Sequence, residues 1–132
     1  MHILRTHHIA ISTHDVPKLE AFYTEKLGFY VTKRWDAVGI VFVNAGSTEL
    51  ELVPKDAVPG EPGPRELGQG TGINHIALHV ASTDETFAEL KGRGVTILRE
   101  PKDFQDVRIA FFTDPDGNVL ELVEELGQGA AG

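Results

Sequence analysis

Cysteine is absent from this chain of 132 residues, which removes disulfides and thiolate metal ligands from consideration. A cytoplasmic location is the default expectation for such a composition. Basic residues are outnumbered: 12 Lys and Arg against 20 Asp and Glu give a formal net charge of −8. Nucleic acid and anionic membranes both select basic surfaces, so neither is expected as a partner. An anionic small molecule stays open, because a cation or a local basic patch can reverse the field inside one cleft. Nowhere do apolar residues run to the ~18 that a membrane span needs. The opening Met1-His2-Ile3-Leu4-Arg5-Thr6 lacks a signal-peptide pattern. What remains is 41% hydrophobic and 24% charged, ordinary for a globular protein and of a length expected for one domain.

An internal repeat covers nearly all of that length. Module 1 runs from about 3 to 54 and module 2 from about 72 to 125, joined by a segment (54–72) rich in proline and glycine that reads as a linker. Each module opens with a short apolar strand. A helix follows in each. In module 1 Asp15 is the expected N-cap, Pro17 lies in the first turn, Leu19, Phe22 and Tyr23 share one face, and Gly28 ends the element. In module 2 Ser82 and Glu85 form a capping-box pattern, Phe87 and Leu90 turn inward, and Gly92 or Gly94 closes the helix. Strand-forming runs then occupy 29–35 and 40–43 in the first copy, 95–98 and 107–113 in the second. Gly46-Ser47 and Asp114-Pro115-Asp116-Gly117-Asn118 read as hairpin turns into a last strand. The expected fold is α+β: two tandem βαβββ modules forming a cupped mixed sheet. The tail from Gly127 is expected to fray.

The chemistry lies at matched places in the two copies. His8 precedes Ile9-Ala10-Ile11 and His75 precedes Ile76-Ala77-Leu78; Glu51 and Glu121 each sit between two leucines on the last strand. The spacings are 43 and 46 positions. Alternation puts His8, Ala10 and Ser12 on one face, and the alignment sets His7 opposite Asn74. With the leucines facing the helices, the glutamates face the other way, where an unpartnered buried carboxylate would be costly. One divalent cation held by His8, Glu51, His75 and Glu121 removes that cost. Glu49 lies on the face of Glu51 and is its alternative, although the flanking pattern favours Glu51. His79 is ~13 Å along the strand from His75, too far to share an ion, and either touches substrate or faces solvent. Lys33, Arg34, Trp35 and Arg108 are expected at exposed sheet positions, with substrate contact as the alternative, and His2 and His14 at the surface.

These marks together resemble the vicinal oxygen chelate superfamily, which groups glyoxalases, bleomycin-resistance proteins and extradiol dioxygenases. They are His8-Ile9-Ala10-Ile11, Phe22-Tyr23 with Leu27-Gly28-Phe29, Glu49-Leu50-Glu51-Leu52-Val53, His75-Ile76-Ala77-Leu78, and Asp114-Pro115-Asp116-Gly117-Asn118 leading to Leu120-Glu121-Leu122. The resemblance implies paired modules cupping a metal, with His8, Glu51, His75 and Glu121 matching the four ligands of the glyoxalase I-like branch. It also implies a homodimer, with the four ligands drawn from one chain or shared between two. Ser12 and Lys55 stand where that branch typically has the arginine and asparagine that hold glutathione, so poor use of a glutathione adduct is expected. Methylmalonyl-CoA epimerases share the ligand pattern but usually show His-Pro-Lys where this chain has Asp114-Pro115-Asp116. Extradiol dioxygenases bind iron without a carboxylate at the Glu51 position, and bleomycin-binding members usually lack the metal residues.

Two nitrogens and two carboxylates suit Zn, Ni, Co, Mn or Fe. The expected function is a metal-dependent lyase or isomerase acting through a metal-bound enediolate on a small oxygen-rich substrate. In it Glu51 and Glu121 exchange the proton and either can be the base. The alternatives are an Fe(II)-dependent extradiol-type dioxygenase and a metal-organised small-molecule binding or drug-resistance protein.

Overall fold

The computed structural model describes residues 1–55 and 72–127. The expected linker and the tail expected to fray lie almost wholly outside these residues. The described residues separate into two compact units, one on each side of 56–71.

Unit 1 is β1 (His8–Thr13), α1 (Val16–Ala21), β2 (Tyr30–Trp35), β3 (Ile40–Asn44) and β4 (Glu49–Pro54). Unit 2 repeats the plan as β5 (Ile76–His79), α2 (Thr83–Gly92), β6 (Thr96–Phe104), β7 (Val107–Thr113) and β8 (Val119–Glu125). Each forms a mixed four-stranded sheet, ordered β1-β4-β3-β2 and β5-β8-β7-β6. The first and last strands of each unit run parallel and the remaining pairs antiparallel. A parallel pair needs a long crossover, and the helix with two further strands supplies it. The expected βαβββ repeat is therefore present in both halves.

Alternation along the last strands sets the layers. Leu50 and Leu52, Leu120 and Leu122 are all at most 1% exposed, while Glu51 and Glu121 between them are only half-buried. The leucine faces pack with Leu19 and Tyr23 in unit 1 and with Leu90 in unit 2, all buried. Each such leucine contributes roughly 1.5–3 kcal/mol. The side-chain oxygen of Asp15 caps α1 by accepting from the Lys18 amide at 3.1 Å, and the Ser82 hydroxyl does the same for Glu85 in α2 at 3.1 Å.

Two features depart from the sequence reading. The first helix does not run regularly to Gly28: after Ala21 it becomes a π-helical turn, Phe22–Lys26. There the Thr24 hydroxyl donates to the Glu20 carbonyl at 2.8 Å, and the wider turn places Phe22 and Tyr23 in the core. The second departure is β6, expected over 95–98, which extends to Phe104 through Arg99-Glu100-Pro101-Lys102-Asp103. It is an edge strand, where a proline leaves no broken ladder bond, and its pairing slips twice, between Ile97 and Arg99 and between Arg99 and Lys102.

Candidate metal centre

Each unit brings its histidine to its glutamate. His8 Nε2 lies 3.7 Å from Glu51 Oε2, and His75 Nε2 lies 3.1 Å from Glu121 Oε1. The glutamate side chains are 15% and 14% exposed and the histidines 36% and 31%, so the two pairs sit in closely similar environments. Among the described residues no group of three or more histidine, aspartate or glutamate side chains is arranged so that it could hold a metal ion.

The surroundings of the pairs repeat as well. Glu51 is in register with Phe42 and Glu121 with Phe111, on the neighbouring central strands. His8 meets the Phe42 ring edge-to-face at 5.9 Å, and His75 meets Phe111 the same way at 5.5 Å. These phenylalanines were not legible in the sequence as site residues, because their partnership depends on sheet register. The residue before each histidine holds its other nitrogen: Asn74 Oδ1 is 2.7 Å from His75 Nδ1, and His7 Nδ1 is 2.9 Å from His8 Nδ1. With Asn74 Oδ1 as acceptor, His75 carries a proton on Nδ1. An Nε2 lone pair then faces the Glu121 carboxylate, a contact that needs a proton or a cation between the two atoms. Ligands ~2.1 Å from one ion and 90–110° apart are separated by about 3.0–3.4 Å, so the unit 2 pair fits a shared ion and the unit 1 pair is slightly wider. The donor set and the fixed imidazole orientation both suit a divalent metal.

Several other candidates have different roles. Glu49, the in-register neighbour of His8 on β4, accepts a hydrogen bond from the Thr32 hydroxyl. Arg34 forms a two-pronged pair with Glu20, at 2.8 and 2.7 Å, and that hydrogen bonding and the charge of Glu20 push its pKa up. Arg108 bridges Asp84 and Asp103, each at 2.9 Å, and its pKa is raised by those bonds and charges. Both arginines thus tie strands to other elements of their own unit. Lys33 sits over the rings of Trp35 and Phe42, 4.8 and 4.7 Å from their centroids. His79 and His2 are exposed, and the exposed His14 lies 2.8 Å from the Lys55 carbonyl oxygen. The turn 114–118 is built on Asp114, 3% exposed, whose carboxylate accepts from the amides of Asp116 and Asn118 and the side chain of Asn118. That turn fixes where β8, and hence Glu121, begins.

With this arrangement in view, the comparisons with known proteins become interpretable. Residues 5–122 match the family model of the Glyoxalase/Bleomycin resistance protein/Dioxygenase superfamily. The chain belongs to that superfamily. It is 30% identical over 132 residues to lactoylglutathione lyase of Escherichia coli O157:H7, covering 96% of each chain. It is 31% identical over 101 residues to the mitochondrial methylmalonyl-CoA epimerase of Homo sapiens, covering 73% of this chain and 57% of that one. Among solved structures it resembles TnmS3, an antibiotic binding protein from Streptomyces sp. CB03234, with a TM-score of 0.74 and 29% identity over 95% of this chain and 98% of that one. Lyases and epimerases are thus among its distant relatives, and so is a binding protein.

Proposed function

We propose that the protein is a metal-dependent lyase or isomerase that moves a proton next to a carbonyl of a small oxygen-rich substrate. The observation that carries this reading is the matched pair of histidine–glutamate contacts, one per unit, each with the same phenylalanine beside it. His8, Glu51, His75 and Glu121 would hold one divalent ion. When bound, that ion supplies Lewis-acid polarisation of a substrate carbonyl.

The remaining chemistry belongs to the chain. A carboxylate oxygen of Glu121 or Glu51 takes the proton from the carbon beside the carbonyl, and the electron pair of the broken C–H bond moves onto the carbonyl oxygen. Returning the proton to the neighbouring carbon completes an isomerisation; expelling a leaving group completes a lyase reaction. Glu121 lines a cavity together with Phe111 and Arg99, which favours Glu121 as the group facing substrate. His75, oriented by Asn74, would present its Nε2 to the divalent ion beside the Glu121 carboxylate.

Solvent exchange tests the reading. Protein loaded with Zn, Ni, Co, Mn or Fe(II) in D₂O should incorporate deuterium beside the carbonyl of α-hydroxycarbonyl compounds, followed by proton NMR, and Glu121→Gln should abolish it. Oxygen consumption by the iron form without exchange would replace this function with a dioxygenase. Ligand binding with neither would favour a small-molecule binding protein, the role carried by the TnmS3 relative. We also propose a homodimer, the commonest closed assembly of small enzymes. Mixing His8→Ala with Glu121→Ala chains restores activity if the four ligands are shared between two chains, and leaves it lost if each chain holds its own set.

A further inference from the structure

The face of each sheet that carries the glutamate also carries a cation, and the two cations have different partners. Reading across the strands in register, unit 1 gives Ala10, Glu51, Phe42 and Lys33. Unit 2 gives Ala77, Glu121, Phe111 and Arg99. Residues in register share a face, so Lys33 and Arg99 stand two strands away from the glutamate on its own side. A slip in pairing precedes each of them, between Val31 and Lys33 and between Ile97 and Arg99. Such irregularities re-aim side chains at the edges of sheets and beside active sites.

Lys33 is occupied by the two aromatic rings beneath it. Arg99 has no counterpart to that arrangement. Its one hydrogen bond runs from Nη1 to the Leu98 carbonyl at 3.0 Å, and among the described residues it has no ion pair. Lys102 likewise has none there. Arg34, Arg93 and Arg108 are each paired with a carboxylate. Arg5, Lys18, Lys33 and Lys91 also make no ion pair among the described residues, so what sets Arg99 and Lys102 apart is their place on one wall beside Glu121.

Both line a cavity of about 300 Å³ on unit 2, together with Phe104, Ile109, Phe111 and Glu121. Its lining also includes Glu100, neighbour of Arg99 in the chain. The volume is at the lower end of the range for small-ligand sites. Phe104, 55% exposed, adds apolar surface to the wall. The wall therefore combines two cations, an apolar surface and two carboxylates, Glu100 and the Glu121 proposed to move a proton. A guanidinium presents paired donors that match the two oxygens of a carboxylate or phosphate, and a nearby ammonium adds charge.

We propose that Arg99 and Lys102 recognise an anionic group of the substrate, so that the substrate is a small organic anion, a carboxylate or a phosphate ester. Its apolar body rests on Phe111, Ile109 and Phe104, and its reacting end faces Glu121. The position of that reacting end rests on the proposed function; the anion-binding wall does not.

Calorimetric titration of EDTA-treated, metal-free protein separates the two. The probes are phenylacetate, phenyl phosphate and the uncharged phenylacetamide. At least one anion should bind saturably and at least about tenfold tighter than the amide. Tighter binding of phenylacetate identifies a carboxylate substrate and tighter binding of phenyl phosphate a phosphate ester. Arg99→Gln should weaken the anion about tenfold or more, Lys102→Gln less, and Arg99→Lys should restore part of the loss. Lys33→Gln should leave binding unchanged. Glu121→Gln should strengthen anion binding, because it removes a like charge from the same wall. The inference is overturned if neither anion binds saturably, if the amide binds as well as the anions, or if Arg99→Gln has no effect. Because no metal is present, these outcomes stand whether or not the metal-dependent reaction does.

Discussion

The two units carry the same histidine–glutamate–phenylalanine arrangement, but the side chains around it differ. In unit 1, Phe42 is 2% exposed and lies under Lys33 with Trp35 against it at 5.0 Å, so the phenylalanine beside Glu51 is covered by the protein itself. In unit 2, Phe111 is half-buried, the cation in the same register position has no aromatic beneath it, and a cavity opens along the row to Glu121. The histidine–glutamate distance follows the same division, 3.7 Å in unit 1 and 3.1 Å in unit 2. A duplicated scaffold has kept its donor atoms in both copies while the side chains around them have diverged. The comparison teaches that donor placement is set by strand register, whereas access is set by the residues two strands away.

The largest effect expected from breaking this contrast is on stability. Phe42→Ala should cost about 3–5 kcal/mol, the usual loss for a fully buried aromatic, whereas Phe111→Ala should cost distinctly less because its ring already borders open space. Urea unfolding of the two variants measures this, and equal losses would show that the two faces are packed alike. A middle-sized effect concerns the atoms behind the histidines. Asn74→Ala frees His75 Nδ1 and should weaken zinc binding about 10–100-fold in competition with a chromophoric chelator. An unchanged affinity would mean that Asn74 does not orient the ring. The smallest effect is at the surface of unit 1. Glu20→Gln removes the carboxylate that holds Arg34 and keeps its pKa raised, and the small loss of stability should fade as salt is added. A large, salt-independent loss would show that the pair organises β2 against α1 rather than merely decorating it.

Much of this was legible in the sequence where the governing rule is local. Capping by Asp15 and Ser82 needs only a side chain and an amide three residues on, and the turn at 114–118 needs only its own residues. The leucine–glutamate alternation of the last strands needs only the period of a strand, and it correctly put Glu51 and Glu121 opposite the helix-packing face. The structure also brings each of those glutamates to the histidine that the repeat had paired with it. What stayed hidden depends on chain segments distant in sequence. Phe42 and Phe111 reach the histidines through sheet register, and Arg108 is drawn to Asp84 and Asp103 by the meeting of a helix and two strands. Arg99 and Lys102 were masked differently. They lie past Leu98, the expected end of that strand, and pairing with β7 carries it on to Phe104.

The proposed function requires these matched pairs to hold one divalent ion, and metal content measures that directly. Untagged protein saturated with zinc and freed of excess should carry one equivalent per chain by elemental analysis. His75→Ala should carry almost none, with its fold retained by circular dichroism. Full stoichiometry in folded His75→Ala, or none in the unaltered protein, would contradict the account.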